Sequence, residues 1–135
     1  MTLSEIKQMV MFQTNNDAED LGDFEPYLCD YINEGYDRLV KAWAKVHVSF
    51  HSEDYPRLEE DGDTPATPEW THRYLADWAT WLIYRNGNPQ KQQRGYQYQS
   101  SFMQMIATIS DEGGADGLDE NGNQKVYRHF INIPD

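Results

Sequence analysis

The sequence predicts an all-α fold: a small bundle of about four helices with a long acidic loop and a C-terminal extended or β-strand tail. Apolar residues recur at three- and four-residue steps along several separate stretches, and helix start and stop residues punctuate those stretches. Strand-like alternation is confined to the last residues and to one short run near Val46.

The first helix is expected at about Leu3 to Phe12. Thr2-Leu3-Ser4-Glu5 fits a capping box, in which the Thr2 hydroxyl and the Glu5 carboxylate each take a backbone N–H of the other's residue. Leu3, Ile6, Met9 and Val10 then follow helical spacing. Asn15 to Asp23 is polar and acidic and reads as a connection.

A second, longer helix is expected at about Phe24 to Val48. Leu28, Tyr31, Ile32, Tyr36, Leu39, Val40, Trp43 and Val46 form its apolar side. Glu34 and Arg38 stand four apart with the acid first, the favourable order on a helix surface. Gly35 falls on the apolar side, where a mid-helix glycine costs roughly 1 kcal/mol against alanine; its value there is the close approach of another helix.

Ser49 to Thr67 breaks the pattern with Pro56, Pro65, Gly62 and the run Glu59-Glu60-Asp61-Gly62-Asp63. It reads as an exposed loop, of a length usually reserved for functional or disordered segments. The third helix is expected at about Pro68 to Arg85, with Thr67 as cap and Pro68 in the first helical position. Its apolar arc is broad, running from Trp70 and Trp81 through Tyr74, Trp78, Leu82 and Leu75 to Ala79 and Ile83, which suits the central helix of the bundle. Asn86-Gly87-Asn88-Pro89 stops it, with Gly87 suited to a left-handed C′ position and Asn88 able to cap the fourth helix, expected at about Pro89 to Ile109. Asp111 to Gln124 is glycine-rich and acidic, and Lys125 to Ile133 has strand propensity with only Val46 to Phe50 to pair with in its own chain. A lone terminal strand of this kind completes a neighbour's sheet or lies along its own domain. The division is thus a helical domain over 1–110 and an extended tail over 111–135.

Composition narrows the function classes. The chain has 135 residues, the size of one domain, with 39% hydrophobic and 13% aromatic residues, so its core is small in residue count and rich in rings. Acidic residues number 23 against 11 basic ones, a formal charge of -12. That field repels phosphate and anionic lipid and argues against tight nucleic-acid or membrane-surface binding. Solubility is the plain reading of the charge; an acidic face for a basic partner is the sharper one. Cys29, the single cysteine, is expected to be a buried inert thiol. The absence of an apolar leader or a membrane-length run predicts a cytoplasmic protein.

Chemistry-bearing patterns are sparse. His47 and His51 stand four apart near the end of the second helix with Glu53 and Asp54 close by, a spacing that can hold a metal on one helix face. Val48 stands where the glutamate of HExxH belongs, and solvated or structural histidines are the default. His72 and His129 are isolated. The segment with Asp116, Asp119, Asn121 and Asn123 departs from a calcium loop at Gln124 and Phe130 and reads as a turn. Walker, GxGxxG and GxSxG patterns are absent. The stripe of Trp70, Tyr74, Trp78 and Trp81 reads as core packing before it reads as a ligand box. No catalytic, cofactor-binding or metal residue is assigned, and no cofactor is expected.

The order of short helix, long helix with Tyr31-Ile32-Asn33-Glu34-Gly35, acidic loop, the Ala76–Asn86 helix, the Gly87-Asn88-Pro89 corner and a final helix resembles the phage head-tail connector (adaptor) family. The resemblance covers roughly residues 1 to 110 and rests on packing patterns rather than catalytic signatures. It implies a structural protein of a tailed phage or prophage: a homo-oligomeric ring with portal protein above and tail-completion proteins below. It also implies no enzymatic activity, and residence in the host cytoplasm during assembly and then in the virion. A mobile acidic loop and an extended terminal strand suit ring assembly, and a negative lumen would let DNA slide past. The alternatives are an acidic inhibitor or DNA mimic that binds a nucleic-acid enzyme, motivated by the charge, and, weakest, a small metal enzyme or hydrolase built on His47 and His51.

Overall fold

The Thr2 hydroxyl accepts the Glu5 N–H at 3.2 Å and the Glu5 carboxylate accepts the Thr2 N–H at 2.8 Å, so the expected capping box opens the first helix. The computed structural model describes residues 1–14, 24–47 and 49–115, with backbone alone for 52 and 112–115. Helix α1 spans Leu3–Gln13, buries Leu3, Ile6 and Val10, and ends where the Thr14 hydroxyl donates back to the Val10 carbonyl at 2.8 Å. The expected connection at Asn15 to Asp23 lies outside the described residues.

Helix α2 spans Leu28–Val46 and starts later than the apolar pattern predicts. A 3₁₀ turn, Glu25–Tyr27, precedes it. Pro26 sits inside that turn, where its missing N–H cannot continue an α-helical ladder. The helix also stops before Val48: His47 is extended, with φ -127° and ψ 101°.

Helix α3 spans Glu69–Tyr84. Pro68 is its N-cap, in extended geometry, rather than its first helical residue. Thr67 is buried and does not cap; its hydroxyl accepts from the Thr71 hydroxyl at 2.9 Å. Helix α4 spans Pro89–Ala115, past the expected end at Ile109. Asn88 caps it as expected, its side-chain oxygen accepting the Lys91 N–H at 2.9 Å. Gly87, however, is not left-handed. It serves by its size: a Cβ there would lie 2.8 Å from the Lys91 side chain, in the first turn of α4.

Helix α3 is central, packing against α1, α2 and α4, with buried side chains on every flank from Thr71 and Leu75 to Trp78, Ile83 and Tyr84. Glycines set two of these approaches. Gly35 of α2 faces Trp78, and Gly95 of α4 faces Trp81 and Tyr84, where an added Cβ would lie 2.9 Å from the Trp81 ring. The described residues are all helix, turn or coil; at the possible short strand of Val46 to Phe50, Val46 still belongs to α2 and Ser49 lies in a turn. The strand expected at Lys125 to Ile133 lies outside the described residues. Among the described residues no helix is long and apolar enough to cross a membrane.

Candidate functional site

The acidic loop between α2 and α3 is tied to the helices by hydrogen bonds. The Asn33 side chain accepts the Leu58 N–H at 2.7 Å and donates to the Leu58 carbonyl at 2.8 Å and the Cys29 carbonyl at 2.9 Å. One amide thus satisfies both backbone groups of a buried loop residue, whose side chain joins the core. The Tyr36 hydroxyl accepts the Ala66 N–H at 2.8 Å; burial pushes this phenol up, against the pull of that hydrogen bond. Arg57 pairs with Asp30 at 2.7 Å on the surface. Cys29 is half-buried rather than buried, with Sγ 3.4 Å from the Leu58 carbonyl.

The charged part of the loop is organised by one of its own carboxylates. Asp63 accepts the N–H groups of Glu60 and Glu59, each at 2.8 Å, and these bonds hold its carboxyl below the usual range. The loop's carbonyls in turn meet the free N–H groups at the start of α1: Leu3 donates to Asp63 at 2.7 Å and Ser4 to Asp61 at 3.1 Å. Glu59, Glu60 and Asp61 remain exposed on this fixed turn.

His47 and His51 do not share a helix face, because α2 ends at Val46. The His47 ring stacks on Trp43 at 4.0 Å, and His51 is exposed beyond the turn. Among the described residues no group of three or more His, Cys, Asp or Glu is placed to hold a metal. His72 is buried, with Nε2 2.7 Å from the Thr67 carbonyl, and fixes the entry to α3. Asp116, Asp119, Asn121, Asn123 and His129 lie outside the described residues.

The tryptophan stripe divides. Trp78 is core: its indole N–H donates to Glu34 at 2.9 Å, Phe102 lies 4.8 Å away, and the Arg38 guanidinium sits 4.7 Å above the ring. Glu34 and Arg38, expected as neighbours on the surface of α2, both reach across to it. Trp81 is half-buried beside Tyr96. Trp70, placed by the helical wheel in the apolar arc, is 43% exposed. It walls an open cavity of about 480 Å³ together with Tyr74, Ser101, Gln104, Met105 and Thr108.

Two features escaped the sequence reading. Asp77 is buried where α1, α3 and α4 meet, accepting from the Gln13 side chain at 2.8 Å and from the Ser101 hydroxyl at 2.9 Å. Burial pushes its carboxyl up, against those two hydrogen bonds and the nearby Arg73. The second is the outer side of α4, where Tyr96, Gln97, Ser100, Met103 and Gln104 are exposed without a charge among them. Helical spacing and the run from Gly95 to Ser110 without Asp, Glu, Lys or Arg could have revealed that face. The Asp77 cluster joins residues far apart in sequence and leaves no local pattern.

Comparison with family models, with curated proteins and with solved structures gives no match.

Proposed function

We propose that this chain is a head-tail connector subunit of a tailed phage or prophage, one copy of a ring seated below the portal. The observation that carries the reading is what the connector-like stretch of α2 does. Asn33 clamps the loop, Glu34 takes the Trp78 N–H, and Gly35 lets α3 close on α2. The residues on which the resemblance rests are therefore those that fix the arrangement of long helix, loop and aromatic helix. The reading assigns a structural role with no catalysis or cofactor. Its partners are further copies of the chain, the portal protein and tail-completion proteins, first in the host cytoplasm and then in the virion.

Electron microscopy of the purified full chain, alone and mixed with a candidate portal protein from the same genome, tests the reading. Rings, free or on the portal, are expected. A monomer that ignores both portal and tail proteins overturns it.

The exposed Glu59, Glu60 and Asp61 favour a second reading, an acidic inhibitor of a nucleic-acid enzyme. Capture of such an enzyme, lost on raising salt, would support it.

A further inference from the structure

In a chain of charge -12, α4 carries no charged residue from Gly95 to Ser110. Its outer stripe exposes Tyr96 by 51% and Met103 by 49%, with Gln97, Ser100 and Gln104 between them. Beside this stripe lies the cavity walled by the half-exposed Trp70, with about 480 Å³ of space, enough for an aromatic ring. Aromatic rings and methionine without charges make the composition of an interface centre, and the glutamines and serines supply adaptable hydrogen bonds.

The charge says what covers it. A basic partner is drawn to the carboxylates, which this face lacks. Nucleic acid is repelled by the chain as a whole. A second copy is the partner for which neutrality matters, since two like-charged chains approach closely where neither brings carboxylates.

A counterpart stands on α1. Phe12 is 77% exposed and Met11 beside it 38% exposed, while Leu3, Ile6 and Val10 face the core. Phe12 lies on a different element from the cavity, so a projection and a socket are carried by separate parts of one chain. Such a pair makes head-to-tail contacts, which repeat and close into a ring where the rotation allows. We propose that the neutral face of α4, with the Trp70 cavity, receives the Phe12 edge of a neighbouring copy. Only the closure into a ring rests on the connector reading.

Sedimentation velocity over a concentration series of the full chain tests the contact, with Phe12→Ser removing the projection and Ser100→Glu charging the socket. Both positions are exposed, and the far-UV spectrum checks that each variant is folded. The wild type is expected to associate, and each variant to weaken association by about tenfold or more, the effect of losing one good contact. An equimolar mixture of the two variants is expected to recover a dimer and nothing larger, because each retains the half the other lacks. A wild type that stays monomeric, variants that associate like the wild type, or a mixture no better than its components overturns the contact. If these variants still form rings on the portal, this contact falls while the connector reading stands, so the two fail separately.

Discussion

Gly35 and Trp78 hold α2 and α3 in direct contact: a Cβ on Gly35 would begin 3.1 Å from the Trp78 Cβ and 3.2 Å from two atoms of its indole. Trp78 is held in place by Glu34 on its indole N–H, Arg38 over its face and Phe102 with ring centroids 4.8 Å apart.

Gly35→Ala therefore has opposing effects. Helix propensity favours alanine by roughly 1 kcal/mol, while overpacking a fixed neighbour costs about 1–3 kcal/mol. The expected net result is destabilisation of about 1 kcal/mol, seen as a lower urea midpoint with an unchanged slope. An unchanged or raised midpoint would mean that Trp78 yields.

Asn33→Ala tests the loop clamp. It strands the N–H and C=O of the buried Leu58, at a cost of about 2–3 kcal/mol. Limited proteolysis should then cut within 52–66 before the helices, whereas the wild-type loop should resist. Equal cutting in both proteins would show that the clamp does not hold the loop.

Asp77 gives a pH dependence of definite sign. Burial raises its carboxyl in the folded state. The folded protein thus holds this proton more tightly than the unfolded chain does. The resulting stabilisation is complete below the ordinary carboxylate value and is lost as pH rises through the raised folded value. Asp77→Asn keeps an acceptor for Gln13 and offers Ser101 a donor, but cannot ionise. Relative to the wild type, it should gain stability as pH goes from acid to neutral. Thermal melts of both proteins across that range check this, and parallel curves would contradict it.

The two tryptophans should separate in stability. Trp78→Ala removes a buried ring from the junction of three helices and should cost about 3–5 kcal/mol. Trp70→Ala, at a 43% exposed position, should cost about 1 kcal/mol or less in denaturant melts. Comparable losses would place Trp70 in the core after all.

Much of the fold was legible because its signals are local. The Thr2–Glu5 capping box, the Asn88 cap and the helical spacing of Leu28, Ile32, Leu39 and Val40 each lie within a few turns of chain. Gly35 was legible because a glycine on an apolar face has few other uses. Gly87 misled, since steric room beside Lys91 and left-handed geometry both call for the same residue. The loop clamp was illegible: Asn33 bonds to Leu58, and no periodicity links a polar residue inside a helix to a loop carbonyl. Trp70 misled in the opposite sense, because a helical wheel gives direction, while burial needs a neighbour long enough to cover it. His47 and His51 had the right spacing, but α2 ends before both.

The central claim, a ring-forming connector subunit, is tested most directly by native mass spectrometry of the full chain mixed with a candidate portal protein from the same genome. The account predicts a complex carrying many copies of this chain per portal ring, at one fixed ratio. A spectrum holding only the monomer and the unaltered portal would contradict it.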